Sequence, residues 1–160
     1  MDYFQGVVTE YLRADRAVFV NTECCIQLNA GANPDRTGPH WFCDAVALNL
    51  REKQVFLCEV TYSRSLSALN KRLTDWASNW NPLRAALVRD CCLQNDWSVT
   101  PWLFIPNELR SSLNEKLCRI ASIGIGAGQM PSPRITDLEE VTPWKYKSWN
   151  RYEEPVEKIS

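Results

Sequence analysis

The chain lacks a dominant charge: 18 basic against 19 acidic side chains leave a formal net charge of −1 at pH 7. Nucleic-acid-binding proteins are usually basic, so no global attraction to a polyanion is expected, and such contact would need a local basic patch. Long apolar runs are also missing. No stretch of 18 apolar residues exists, and Met1-Asp-Tyr-Phe-Gln has no basic segment leading into an apolar core. A chain that neither spans a membrane nor carries a recognisable secretion signal is expected, and with it a cytoplasmic location. Histidine occurs once, at His40, after Gly38-Pro39, where a loop or packing role is the expectation. Seven cysteines could suggest a disulfide or zinc framework. Their number is odd, Cys24-Cys25 and Cys91-Cys92 are adjacent pairs, and one histidine cannot complete a Cys/His set. Free thiols acting as small hydrophobes in a reducing compartment are expected instead. No internal repeat is apparent. The glycine-rich Gly124-Ile-Gly-Ala-Gly128 has no following Walker lysine, so it is not read as a nucleotide loop.

What remains is an ordinary globular composition: 160 residues, 45% hydrophobic and 23% charged. One domain is expected over 1–143, followed by an arm over 144–160 that carries Trp144, Tyr146, Trp149 and Tyr152 among charges and prolines. Apolar spacing predicts a helix over 2–13 with Asp2 as its cap, then a strand over 17–28. A breaker-rich loop over 29–39 precedes strands over 41–50 and 54–62. Ser65 is placed to cap a helix over 66–80, and Pro82 suits the first turn of a second helical piece over 83–93. A strand over 98–105, a helix capped by Asn107 and running to 120, and a strand over 134–141 complete the order α-β-β-β-α-(α)-β-α-β. Trp76, Trp80, Trp97 and Trp102 fall at core spacing. Strands with apolar residues on both parities imply a sheet covered on both faces, hence an α/β three-layer sandwich around a central mixed sheet.

Two residues break the apolar pattern. Asp44 lies within Trp-Phe-Cys-Asp-Ala-Val-Ala-Leu and Glu59 within Val-Phe-Leu-Cys-Glu-Val-Thr-Tyr. A lone ionised carboxylate in such a setting costs several kcal/mol or more unless compensated, and a bound cation is one remedy. If the hairpin loop has two or four residues, opposed positions sum to 103 and Asp44 faces Glu59, with Cβ atoms roughly 5 Å apart. A three-residue loop without a bulge would separate them. Glu10 lies near the inward face of the first helix and is a third candidate acid. Hard oxygen ligands of this kind suit Mg²⁺ or Mn²⁺ rather than zinc. The alternative is a pair of strand-edge acids facing solvent or pairing with arginine.

A helix, three strands with Asp on the second and Glu-x-Lys on the third, then helix and strand is the layout of the restriction-endonuclease-like PD-(D/E)XK nucleases. Over about residues 2–120 the chain resembles that family, with Asp44 and Glu59-Val-Thr61 where its motifs belong and Glu10 at its helix-1 acid. The sequence departs in two places. Cys43 rather than proline precedes Asp44, the literal Pro34-Asp35 falling in the loop, and Thr61 stands where the lysine should be. Thr can hydrogen-bond water but carries no charge. Some members move the lysine to the following helix, where Lys71 is the natural candidate, with Arg64 and Arg72 behind it.

The resemblance implies a Mg²⁺- or Mn²⁺-dependent nuclease acting on DNA or RNA. Asp44, Glu59 and the Val60 carbonyl would hold the ion, with Glu10 assisting. Thr61 and Lys71 would complete the catalytic set. Arg64, Lys71, Arg72, Arg84 and Arg89, against Asp75 and Asp90, would form a phosphate-binding stretch. Many nucleases of this class cut as dimers, so a homodimer is allowed. A catalytically degenerate fold kept as a nucleic-acid-binding or regulatory module is the other expectation, because loss of the lysine is what inactivation would look like. An interaction domain binding a protein partner through the aromatic arm is the third.

Overall fold

A computed structural model describes residues 2–29, 38–123 and 128–142. The arm over 144–160, Pro34-Asp35 and most of the glycine-rich step lie outside the described residues.

The chain begins with α1 (Tyr3–Arg13), started by the predicted Asp2 cap. Asp2 Oδ1 accepts from Gln5 N at 2.8 Å and Gln5 Oε1 accepts from Asp2 N at 2.9 Å, a reciprocal capping box. Three antiparallel strands follow: β1 (Val18–Gln27), β2 (His40–Asn49) and β3 (Gln54–Val60). Asn49 pairs with Gln54 across a four-residue loop, in which Asn49 Oδ1 accepts from the N–H groups of Arg51 and Glu52. Lys53 adopts φ 52° to close it. The β2–β3 pairs sum to 103, the expected even-loop register, but pairing stops at Ala45↔Cys58, so Asp44 and Glu59 do not face each other as an opposed pair and turn toward different helices.

Next come α2 (Ser67–Ser78) and α3 (Trp80–Asp90), separated only by Asn79. They carry the chain over to β4 (Ser98–Ile105), parallel to β3. A 3₁₀ turn (Asn107–Leu109), α4 (Arg110–Ile120) and the short β5 (Arg134–Asp137), parallel to β4, complete the sheet, whose strand order is β1-β2-β3-β4-β5. Among the described residues the fold is thus α/β, with a five-stranded mixed sheet and four α-helices.

Two apolar layers flank that sheet. On one face α1 contributes Val8 and Leu12, which meet Ala45, Ala47, Phe56, Cys58, Trp102 and Phe104. Trp102 is fixed there by Phe56 and Phe104 rings at 4.7 and 5.0 Å, by the Arg134 guanidinium 3.9 Å from its centroid, and by its own N–H donated to Thr136 Oγ1. On the other face α2, α3 and α4 bury Leu69, Leu73, Trp76, Leu83, Leu87 and Leu113 against Val46, Val55, Leu57 and Leu103. These are the three layers expected.

Several boundaries differ from the expectation. Ser65 caps nothing: α2 starts from Leu66 with no side-chain cap bond, and the Ser65 hydroxyl pairs with that of Ser67 instead. Asn107 opens a 3₁₀ turn whose cap position is Pro106, and its N–H is taken by the Glu139 carboxylate. α3 begins at Trp80 rather than after Pro82, because a proline needs no N–H partner within a first turn. β5 ends at Asp137, where a 3₁₀ turn over Leu138–Glu140 follows. All seven cysteines are free thiols, and only Cys43 and Cys58 are buried. Among the described residues no helix is long and apolar enough to cross a membrane.

Candidate functional site

Asp44 and Glu59 meet where β2 and β3 stop pairing. The ladder ends at Ala45↔Cys58, so these two acids are the next residues on each strand. The pleat changes hand here. Ala45 and Ala47 of β2 and Val18 and Val20 of β1 pack toward α1, whereas Trp41, Cys43, Cys24 and Ile26 pack toward the α2–α4 layer. Strict alternation would keep each set on one face. The switch falls at Asp44 and at Glu23, which takes φ 52° opposite it, where the β1–β2 register skips one pair.

Asp44 consequently reaches toward α1. Its Oδ1 accepts from Gln5 Nε2 at 2.7 Å, and its Oδ2 accepts from the Val60 N–H at 2.7 Å. Glu59 is only 8% exposed and stays on the opposite layer. Arg72 of α2 donates through Nη1 to Glu59 Oε1 at 2.7 Å and also to the Phe42 carbonyl. The carboxylates are therefore neighbours held by different helices, and an arginine clamps one of them to the β2 backbone.

Their electrostatics follow from burial and proximity. Burial, then the adjacent Asp44 charge, push the Glu59 carboxyl up to about 8, against the lowering pull of Arg72, the Cys43 thiol and the Asp44 N–H. Asp44 is also raised, by burial first and by Asp2, although the Val60 N–H, Arg72 and Gln5 favour its anion. Two acids crowded in a poorly solvated place resist carrying two negative charges, and retaining a proton on one relieves this. Of the two, Glu59 is the one pushed further toward its protonated form.

The other predicted residues are not gathered here. Glu10 is solvent-exposed and lies 3.6 Å from Arg13, one turn along its own helix. Lys71 is 80% exposed and paired with Asp75 at 3.0 Å. The Thr61 N–H is taken by the Phe104 carbonyl, and its hydroxyl accepts from the Ser63 N–H at 3.3 Å. Arg64 stands exposed, 4.0 Å from Glu108. Arg84 donates to the carbonyls of Asn95 and Trp97, and Arg89 to the Gln27 carbonyl and to Asp90, so both tie α3 to neighbouring segments. The five cations thus do not form one free patch.

Sequence reasoning missed Gln5 and placed Arg72 among phosphate contacts and behind Lys71 as a stand-in for the motif lysine, not as the partner of Glu59. Gln5 had a visible signal as the fourth residue of Asp2-Tyr-Phe-Gln5, a capping-box pattern. Its second bond, to Asp44, depends on where α1 lies. With both ends of its amide engaged, Gln5→Ala is expected to cost about 1–2 kcal/mol, as for loss of a cap. Urea denaturation checks this, and an unchanged midpoint would mean that the two bonds carry no net stability.

As donors, the Asp44 and Glu59 carboxylates and the Val60 carbonyl are hard oxygens, the ligand class of Mg²⁺ and Mn²⁺. Among the described residues no group of three or more His, Cys, Asp or Glu side chains could hold a metal ion. Water would have to complete such a shell, as is usual for Mg²⁺. No protein-family model matches the chain, and no curated protein is similar to it at a significant level.

Proposed function

We propose that the protein is a divalent-metal-dependent phosphodiesterase acting on DNA or RNA, with Asp44 and Glu59 as its metal-holding acids. The observation that carries this reading is the placement of a buried carboxylate, Glu59, next to a half-buried one, Asp44, whose charge makes Glu59 harder to ionise, just where the β2–β3 ladder ends. The restriction-endonuclease-like arrangement suggested by the element order belongs to the same proposal.

Asp44, Glu59 and the Val60 carbonyl would hold Mg²⁺ or Mn²⁺. When bound, the ion supplies Lewis acidity and lowers the pKa of a coordinated water. Gln5 and the Val60 N–H fix the Asp44 carboxylate, so one ligand is pre-oriented. Glu59 must give up its proton to become a ligand, and Arg72 must yield its bond. Arg72 then takes the task assigned to Lys71, because its guanidinium is bonded to Glu59, whereas Lys71 is paired with Asp75 in solvent. A guanidinium freed from Glu59 can neutralise charge gathering on a phosphoryl oxygen. Thr61 can orient water through its hydroxyl.

The test is Mn²⁺ binding by calorimetry, with cleavage of plasmid and single-stranded substrates. Asp44→Ala and Glu59→Ala should each lower cleavage by more than about 100-fold, since even outer-shell partners of metal ligands are worth 10- to 100-fold. Absence of Mn²⁺ binding at millimolar concentration, or full activity in Asp44→Ala, would sink the reading. Because Glu59 must lose a proton, Mn²⁺ affinity should rise with pH, by roughly tenfold from pH 6.5 to 8 and little beyond.

A second reading has its own observation. The Arg72–Glu59 pair satisfies the buried acid without any metal, and Thr61 replaces the motif lysine. A degenerate module that binds nucleic acid or a protein partner would look the same, and would bind nucleic acid or protein without Mn²⁺ affinity.

A further inference from the structure

Three aromatic rings cluster at the start of α1 and the end of β3: Phe4 packs partly against the core, and Tyr3 and Tyr62 are left exposed beside it. Tyr3 is 77% and Tyr62 54% exposed, although both are large and largely apolar. Phe4 lies between them, its ring 5.4 Å from Tyr3 in an edge contact and 4.7 Å from Tyr62 at 34°. Their attachment to the site is direct. Phe4 immediately precedes Gln5, whose amide holds Asp44. Tyr62 comes three residues after Glu59 and two after Val60, whose N–H holds the other Asp44 oxygen. The segments that carry the rings are thus the two that bond Asp44.

We propose that Tyr3, Phe4 and Tyr62 form a stacking subsite for an unpaired nucleobase, which makes single-stranded nucleic acid the preferred substrate. This rests on the phosphodiesterase reading for its choice of ligand. Exposed aromatic faces stack on any base, and an alanine substitution at such a contact costs several-fold or more in affinity. Bases inside a duplex are already stacked on one another and cannot present a face to these rings. Arg64, two residues beyond Tyr62 and almost fully exposed, would supply a positive charge for the adjoining phosphate by exchanging its loose, solvent-exposed 4.0 Å pairing with Glu108. One base on the rings and one phosphate toward Arg64 would direct the backbone past Asp44 and Glu59.

Fluorescence polarisation in EDTA tests this on the intact chain, without cleavage. The probes are a 20-nucleotide oligothymidylate, the matching oligouridylate and a 20-base-pair DNA duplex. Single strands should bind at least tenfold tighter than duplex, with the two single-stranded arms showing whether DNA or RNA is preferred. Tyr62→Ala and Tyr3→Ala should each weaken single-strand binding about 5- to 100-fold and leave duplex binding unchanged, while Tyr62→Phe should bind as wild type. Tyr3 is the more exposed, so its variant carries the test if Tyr62→Ala perturbs folding. Equal affinity for duplex and single strand, no affinity for either, or neutral tyrosine substitutions would overturn the subsite. The two proposals fail separately. Duplex cleavage with neutral tyrosines leaves the enzyme and removes the subsite, whereas tyrosine-dependent binding with neither Mn²⁺ affinity nor cleavage does the reverse.

Discussion

Glu59→Gln is expected to stabilise the folded protein at alkaline pH while abolishing divalent-metal binding. In the unfolded chain this carboxyl ionises near its ordinary value of 4.5, and in the folded protein near 8. Between those values the folded state keeps a proton that the unfolded state has lost. Stability therefore falls as pH rises through that window, and the loss is complete above about 8. At 1.36 kcal/mol per pH unit the whole span corresponds to about 4–5 kcal/mol, and local relaxation and water penetration would reduce it to about 2–4 kcal/mol. Glutamine has no such dependence, and its carbonyl can still accept from Arg72. Urea denaturation at several values between pH 5 and pH 9 should show wild type and variant nearly equal at the acid end and diverging upward. Parallel stability profiles would mean that Glu59 is not held protonated. A gain in stability on replacing an ionisable group by its neutral isostere is the signature of a residue kept for function.

Arg72→Ala should act in the opposite sense on stability and in two directions on chemistry. It removes the donor to both Glu59 and the Phe42 carbonyl. Breaking a buried pair by deleting one partner costs about 3–5 kcal/mol, but here Glu59 can retain its proton and Arg72 is 30% exposed. A loss of about 1–3 kcal/mol is expected, larger at pH 9 than at pH 6, because without the guanidinium Glu59 resists ionisation further. Adding Glu59→Gln should recover most of the alkaline deficit. Mn²⁺ should bind the Arg72→Ala protein more tightly, since a competing cation has gone, while cleavage falls about 100-fold with the loss of charge at the phosphate. Tighter metal binding with undiminished cleavage would show that Arg72 only blocks the site. Arg72→Lys separates charge from geometry: a lysine keeps the charge but cannot reproduce the planar fork.

The choice between Lys71 and Arg72 shows how far a sequence can be read. At about 100° per residue, Lys71 lies two positions from both Leu69 and Leu73 and so about 160° from each around the helix, facing water. Arg72 lies about 60° from Leu69, at the edge of the buried stripe, and its long stem carries the charge inward. The spacing favoured Arg72, and only the expectation of a lysine pointed elsewhere. Glu10 shows the converse. It fell near the inward face by spacing, yet α1 presents Val8 and Leu12 to the sheet and leaves Glu10 beside Arg13. Ser65 and Asn107 had the composition of caps, but α2 is entered through Leu66 and a 3₁₀ turn precedes α4, so tertiary packing overrode local preference.

Local physics fixed the element order and the Asp2 cap, because each depends on neighbours within a few residues; it narrowed the hairpin to short loops without choosing among them, and the structure selected four residues and the 103 register. The same proximity made Asp44 and Glu59 visible as two acids in apolar strands. Which helix grips each acid was decided only when the layers closed on the sheet. The pleat reversal at Glu23 and Asp44 turned one carboxylate toward α1, and the packing of α2 delivered Arg72 to the other. Both outcomes arise between segments distant in the chain, where side-chain volume and burial, rather than sequence spacing, set who meets whom.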